Sequence, residues 1–265
     1  MSISRRTLLG ASVLLAVAPV SFAAQQKTIV VGVTSGPHAE IMEVVKKAAD
    51  QAGFPIKIVE FSDFVQPNAA LAAGDLDLNS FQHQPYLDQQ NKDRGYNLVS
   101  VAKTVTFPLT FYSKKSYKTL ADLPKKARVA IPNDPTNGGR ALHMLADQGL
   151  IRLRDGVGHT ATVLDIVENP KSIQVVELEA PQLPLSLKDV DAAAINGSYA
   201  QPAGLDPKRD GIYTERADGP YANILVVRET DKDQPWVKEF VKLYQTPEVK
   251  AFIEKRFNGN MICAW

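Results

Sequence analysis

Lys27-Thr28-Ile29-Val30-Val31-Gly32-Val33, followed by Ser35-Gly36-Pro37 and later by Ile56-Lys57-Ile58-Val59-Glu60-Phe61, decides the fold. The first run is β-branched and apolar at successive positions, which suits a strand buried on both faces. Between the two runs Ile41, Val44, Val45 and Ala48 recur at helical spacing, and Gly53 with Pro55 stops that helix. Strand, helix and strand in this order form a βαβ unit, whose crossover requires a parallel sheet.

The alternation continues outward from that unit. A helix is expected around Asn68 to Ala73, a strand over Leu76 to Phe81, a helix over Tyr86 to Asp93 and a strand over Asn97 to Thr104; Pro108 then marks a change of direction. Beyond it Leu109 to Tyr112, Arg128 to Ile131, Ile173 to Leu178, Val190 to Ile195 and Tyr221 to Arg228 read as strands. Helices are expected over Gly138 to Gln148, Thr160 to Glu168, Trp236 to Tyr244 and Pro247 to Phe257. There is no internal repeat and no low-complexity linker. Two sheet-forming blocks without a tether imply an α/β protein of two lobes joined by strands, able to close on a ligand held at the carboxyl ends of strands.

Composition narrows the function. The chain has 265 residues, 45% apolar and 22% charged, with 30 basic against 29 acidic side chains. That balance excludes a nucleic-acid footprint and a polybasic membrane patch. The single cysteine, Cys263, excludes a disulfide framework and cysteine-rich metal or cluster sites, and the scattered histidines have no short metal-ligand spacing, so neither metal nor cofactor is expected. At the N-terminus two arginines precede an apolar stretch from Leu8 to Val20 that is too short to span a bilayer, and Ser21-Phe22-Ala23 closes it with small residues. This reads as an export signal over residues 1–23 cleaved near Ala23, and Ser4-Arg5-Arg6-Thr7-Leu8-Leu9 also fits a twin-arginine signal. Ala23-Ala24-Gln25-Gln26 offers no cysteine to carry a lipid, so a soluble protein of the periplasm is expected.

Two segments at strand ends and two asparagines carry chemistry. Ser80-Phe81-Gln82-His83-Gln84-Pro85-Tyr86-Leu87 gathers Phe81, His83 and Tyr86 where a strand enters a helix, as an aromatic wall for an apolar ligand tail or as a structural pair under a helix start. Pro132-Asn133-Asp134-Pro135-Thr136-Asn137-Gly138-Gly139-Arg140 is not a phosphate-binding loop, since no Gly-Lys-Ser/Thr follows. It offers Asn and Thr oxygens as helix caps and places Arg140 one turn into the helix, suited to a bidentate carboxylate contact or to an ordinary salt bridge. Asn196 ends one strand and Asn223 interrupts another, although Asn is depleted in strands; each serves as a cap or bulge, or as an acceptor for a ligand ammonium.

These segments, with Asp155-Gly156-Val157-Gly158, Val167-Glu168-Asn169-Pro170-Lys171 and Glu177-Leu178-Glu179-Ala180-Pro181-Gln182-Leu183-Pro184, resemble the NlpA/MetQ family of substrate-binding proteins of methionine ABC importers, from Ile29 to Trp265. The resemblance implies a type II periplasmic-binding-protein fold, each lobe a mainly parallel sheet flanked by helices. One lobe would be residues 27–106 plus 222–265 and the other 107–221, with the ligand in the cleft between them. It implies that Arg140 grips the α-carboxylate, that Asn196 and Asn223 surround the α-amino group, and that Phe64, Phe81, His83, Tyr86 and Phe107 form the side-chain pocket. Phe64 and Phe107 stand where relatives often have tyrosine, which implies a drier pocket. The implied partners are methionine or a related amino acid and the permease and ATPase subunits at the inner membrane; the protein is expected to be a monomer with no nucleic-acid partner. Another small amino acid, the D enantiomer or a methionine-containing dipeptide are the rival ligands. An exported hydrolase is the rival class, but no Gly-x-Ser-x-Gly elbow or His-Glu-x-x-His motif is present, and Asp134 before Pro135 is explained as a turn residue.

Overall fold

The computed structural model describes residues 27–265, so the export signal expected over residues 1–23 lies outside the described residues. In chain order the elements are β1 (Ile29–Thr34), α1 (Pro37–Gln51), β2 (Ile56–Phe61), α2 (Gln66–Ala73), β3 (Leu78–His83), α3 (Gln84–Arg94), β4 (Leu98–Thr106), β5 (Thr110–Tyr112), β6 (Arg128–Pro132) and α4 (Pro135–Asp147). There follow β7 (Arg152–Leu153), β8 (Ile166–Glu168), β9 (Gln174–Leu178), α5 (Leu183–Ser186), β10 (Ala192–Ile195), α6 (Gly197–Ala200), β11 (Gly211–Thr214), β12 (Ala222–Arg228), α7 (Pro235–Tyr244), α8 (Pro247–Phe257) and β13 (Ile262–Cys263).

Two larger sheets result, with strand orders β13-β4-β12-β3-β1-β2 and β11-β5-β10-β6-β9. Each is mixed. In the first, β1 runs parallel to β2 and β3, and β12 joins antiparallel between β3 and β4. In the second, β6 runs parallel to β9 and β10, and β5 and β11 continue it antiparallel. The chain passes between the sheets twice, from β4 to β5 and from β11 back to β12.

The parallel strands are apolar on both faces because both faces are covered. In β1 Val31 and Val33 are fully buried, as are Ile41, Met42 and Val45 of α1, which packs on one side of that sheet with α7 and α8. Leu71, Leu76, Leu87 and Val226 fill the opposite side under α2 and α3. Each such side chain contributes about 1.5–3 kcal/mol of burial, so a charge at Ile41 would break the α1 interface. The second sheet is sandwiched likewise, by α4 on one face and by α5 and α6 on the other.

One expected element is absent. Thr160 to Glu168 was expected as a helix, but Val163–Asp165 is a single 3-10 turn closed by a capping box between Thr162 and Asp165, after which β8 pairs with β7. Ala161 and Ile166 reach the core of the second sheet, but the larger apolar residues on the helical spacing do not: Leu164 is 90% exposed and Val167 48%. Apolar spacing without a packing surface does not sustain a helix.

Candidate functional site

A partly open cavity between the two sheets is lined by Phe64, Phe81, Gln82, His83, Tyr86, Phe107, Asn137, Arg140, Asn196, Gly197, Ser198 and Asn223. All eight residues singled out in the sequence face this one space, although they come from six separate stretches of chain.

The aromatic side is built by the end of β3 and the start of α3. His83 caps α3: its Nδ1 accepts the Tyr86 backbone N–H at 3.2 Å. A backbone N–H can only donate, so the imidazole proton sits on Nε2, which donates to Asn137 Oδ1 at 3.2 Å. Burial, and then the positive charge of Arg140, hold the His83 pKa down to about 3, so the ring is neutral at ordinary pH. With both nitrogens engaged, His83 offers the cavity shape and no free base. The Tyr86 hydroxyl is likewise committed, donating to the Phe64 carbonyl at 2.8 Å. The Phe64 and Phe81 ring centroids lie 6.0 Å apart, with Tyr86 edge-on to both at 6.4 and 5.9 Å. These rings form a dry sleeve for an apolar chain.

The polar side is organised by α4. Its N-cap is Asp134, whose Oδ1 accepts the Asn137 backbone N–H at 2.9 Å, so the cap is a carboxylate and not the Asn or Thr oxygen that the sequence suggested. Asp134 also takes the Asn137 side-chain amide on both oxygens, at 3.1 and 3.0 Å. A carboxylate accepts only, which fixes the Asn137 amide with Nδ2 outward and Oδ1 toward the site. That oxygen then receives His83, Arg140 Nη1 at 3.4 Å and Asn196 Nδ2 at 3.0 Å. Asn196 is thereby oriented in turn, and its buried Oδ1 has no hydrogen-bond partner among the described residues. A relay from Asp134 through Asn137 thus delivers a bare acceptor to the cavity wall.

Arg140 takes the salt bridge that the sequence left open as one of its two readings. Its fork is already filled: Nε donates to Glu215 Oε2 at 2.8 Å, and Nη2 donates to Glu215 Oε1 and to the Phe107 carbonyl, the latter at 3.0 Å. Arg140 is 3% and Glu215 10% exposed, and the guanidinium carbon lies 4.1 Å from the Tyr221 ring centroid. Only Nη1 has donor capacity left, so a carboxylate would be gripped at one guanidinium nitrogen and not bidentately. Glu215, Tyr221 and Asn137 were missed in the sequence. Asn137 lay inside a motif already singled out but read as a cap, and nothing local marks Glu215 or Tyr221.

No group of three or more His, Cys, Asp or Glu able to hold a metal occurs among the described residues, and none of their helices is long and apolar enough to cross a membrane. What the site can do chemically is hold a small zwitterion with an apolar tail. It has a cationic donor at one end, the orphaned amide oxygen of Asn196 nearby and aromatic rings opposite.

A sequence profile described as NlpA lipoprotein matches residues 29–265. The chain is 52% identical over 240 residues to the D-methionine-binding lipoprotein MetQ of Salmonella typhimurium, covering 89% of this chain and 88% of that one. Among solved structures it is similar to a nutrient binding protein from Burkholderia cenocepacia bound to methionine, with TM-score 0.88 and 54% identity over 90% of this chain and all of that one. It is also similar to the methionine binding protein MetQ, with TM-score 0.86 and 51% identity over 90% and 98% of the two chains. The fold is therefore the two-lobed α/β type of these binding proteins.

One expectation is overturned by these likenesses. A free protein of the periplasm was inferred from the absence of cysteine at Ala23-Ala24-Gln25-Gln26, yet the matching profile and the Salmonella relative are both named lipoproteins, which are lipid-anchored. A lipid anchor leaves the folded part entirely water-facing, so globular composition does not separate tethered from free proteins.

Proposed function

This chain belongs to the NlpA lipoprotein family, and on that premise we propose that it is the substrate-binding component of an ABC importer that captures free methionine between its two lobes. The observation that carries this reading is a single cavity joining an aromatic sleeve to Arg140 and to the unpartnered Oδ1 of Asn196. Phe64, Phe81, His83, Tyr86 and Phe107 surround the thioether chain, where sulfur–aromatic contacts contribute about 0.3–1.5 kcal/mol each. Arg140 binds the α-carboxylate through Nη1, and Asn196 and Asn223 accept from the α-ammonium. Residues 27–106 with 222–265 act as one lobe and 107–221 as the other, closing about the two crossing segments.

The protein does no covalent chemistry in this reading. It hands methionine unchanged to the permease and ATPase subunits, as a monomer. A ligand of about nine heavy atoms, at a ceiling near 1.5 kcal/mol per atom, can reach roughly nanomolar affinity without it.

The test is a thermal-shift screen of free amino acids, methionine in both enantiomers and methionine-containing dipeptides, followed by recovery of the bound ligand. Methionine at a hundredfold excess over Kd should stabilise the protein by about 2.7 kcal/mol and be recovered intact. A screen flat for methionine, or a ligand recovered altered, refutes the proposal.

A further inference from the structure

His38 lies outside the cavity lining, is 2% exposed, and stands at the start of α1 after Gly36-Pro37. Its ring is enclosed by groups from the first sheet, from α6 and from the segment after β4. Nε2 lies 2.9 Å from Asn223 Nδ2, Nδ1 lies 3.0 Å from Thr34 Oγ1 and 3.5 Å from Ser198 Oγ, and the Phe107 ring is 5.2 Å away, centroid to centroid. Three of these neighbours, Asn223, Ser198 and Phe107, line the cavity themselves.

We propose that His38 is a positioning residue that sets which end of the Asn223 amide faces the ligand. The proposal rests on the methionine reading above and adds a residue to it. An amide presents an acceptor on one side and donors on the other, and nothing in its shape decides between them. At Asn223 the nitrogen points at His38 and no described residue donates to Oδ1, which is left for the cavity. That arrangement needs a bare Nε2 on the ring, and hence the proton on Nδ1, where the Thr34 and Ser198 hydroxyls stand to accept it. Burial lowers the His38 pKa to about 4, so the ring carries one proton at neutral pH and cannot donate from both nitrogens. With the opposite tautomer two donors would face each other, the amide would turn over, and an NH2 group would meet the ligand ammonium. Asn196 reaches the same polarity by a different route, through Asp134 and Asn137. His38 supplies the second acceptor.

The experiment compares two ligands by calorimetric titration at pH 7: methionine, and its des-amino analogue 4-(methylsulfanyl)butanoate, which keeps the carboxylate and thioether but lacks the ammonium. His38→Ala is expected to weaken methionine about ten- to hundredfold while changing the analogue only a few-fold, because only the ammonium uses the oriented oxygen. His38→Gln, whose side-chain oxygen can take the place of Nε2, should restore most of the methionine affinity. Nitrogen-resolved NMR of the unaltered protein should show His38 as the Nδ1–H tautomer, a readout independent of how any variant folds. Equal losses for both ligands in His38→Ala, no recovery in His38→Gln, or an Nε2–H tautomer would each overturn the proposal. An unaltered protein that fails to bind methionine at all sinks the functional reading; one that binds it with His38-independent discrimination sinks only this inference.

Discussion

Replacing Arg140 separates its two duties, because the structure makes it both the ligand's cation and half of a buried ion pair. Arg140→Met keeps the volume and apolar stem but deletes the charge, leaving Glu215, 10% exposed, without its cation. Breaking a buried pair from one side costs about 3–5 kcal/mol. The lower end applies here, since Glu215 Oε1 still accepts the Leu109 backbone N–H at 2.7 Å. A loss of about 3 kcal/mol corresponds to a fall of about 6–12 °C in melting temperature for a chain of this size. Methionine binding should vanish at the same time. Adding Glu215→Gln removes the stranded charge while a side-chain oxygen remains for Leu109, so the double variant should recover about 2 kcal/mol of stability and none of the binding. Urea unfolding of the four proteins of this cycle measures the coupling, and calorimetry measures the ligand. If Arg140→Met unfolds at the wild-type urea midpoint, or if the two substitutions simply add, the ion pair is not what holds Arg140 in place.

Two further perturbations test the site's surroundings. His38 and His83 are held neutral when folded, with pKa values lowered from 6.5 to about 4 and about 3, chiefly by burial, whereas the unfolded chain protonates both near 6.5. The unfolded state therefore binds more protons below that point, so stability is complete above pH 6.5 and falls toward pH 4, by about 2 kcal/mol per histidine at pH 5. Urea midpoints at pH 7 and pH 5 check this, and His38→Gln should remove one histidine's share of the difference; an unchanged difference would mean that His38 does titrate in the folded state. Gly139→Ala should destabilise by about 1–3 kcal/mol, because its Cβ would lie 2.3 Å from the His159 carbonyl oxygen and 2.9 Å from the Ala161 nitrogen. Helix propensity alone would make the same change stabilising by about 1 kcal/mol, so the sign of the measured shift decides whether α4 and the 158–161 segment are in fixed contact.

Much of the fold was legible because it is local. The α1 and α8 helices and the β1 and β2 strands follow from spacing and stop residues within a few positions of themselves, and the loops before α3 and α4 were recognisable as places where strand ends carry chemistry. The failure at Thr160 to Glu168 is equally local in its reading but tertiary in its cause. Leu164 and Val167 have no partner surface, and the pairing of β7 with β8 takes the backbone instead.

By itself the sequence determined the α/β alternation and the family likeness, and through that likeness it pointed to the eight side chains that face the cavity. Tertiary structure decided what those side chains are free to do. Glu215 stands 75 positions from the Arg140 it engages and His38 stands 185 from Asn223, distances over which periodicity and spacing carry no information. The polarity of each asparagine, the tautomer of His83 and the one unspent nitrogen of Arg140 all follow from partners brought in by the two passages of the chain between sheets. A hydrogen bond has a direction that residue identity leaves open, and only the donor or acceptor on the far side of the fold fixes it.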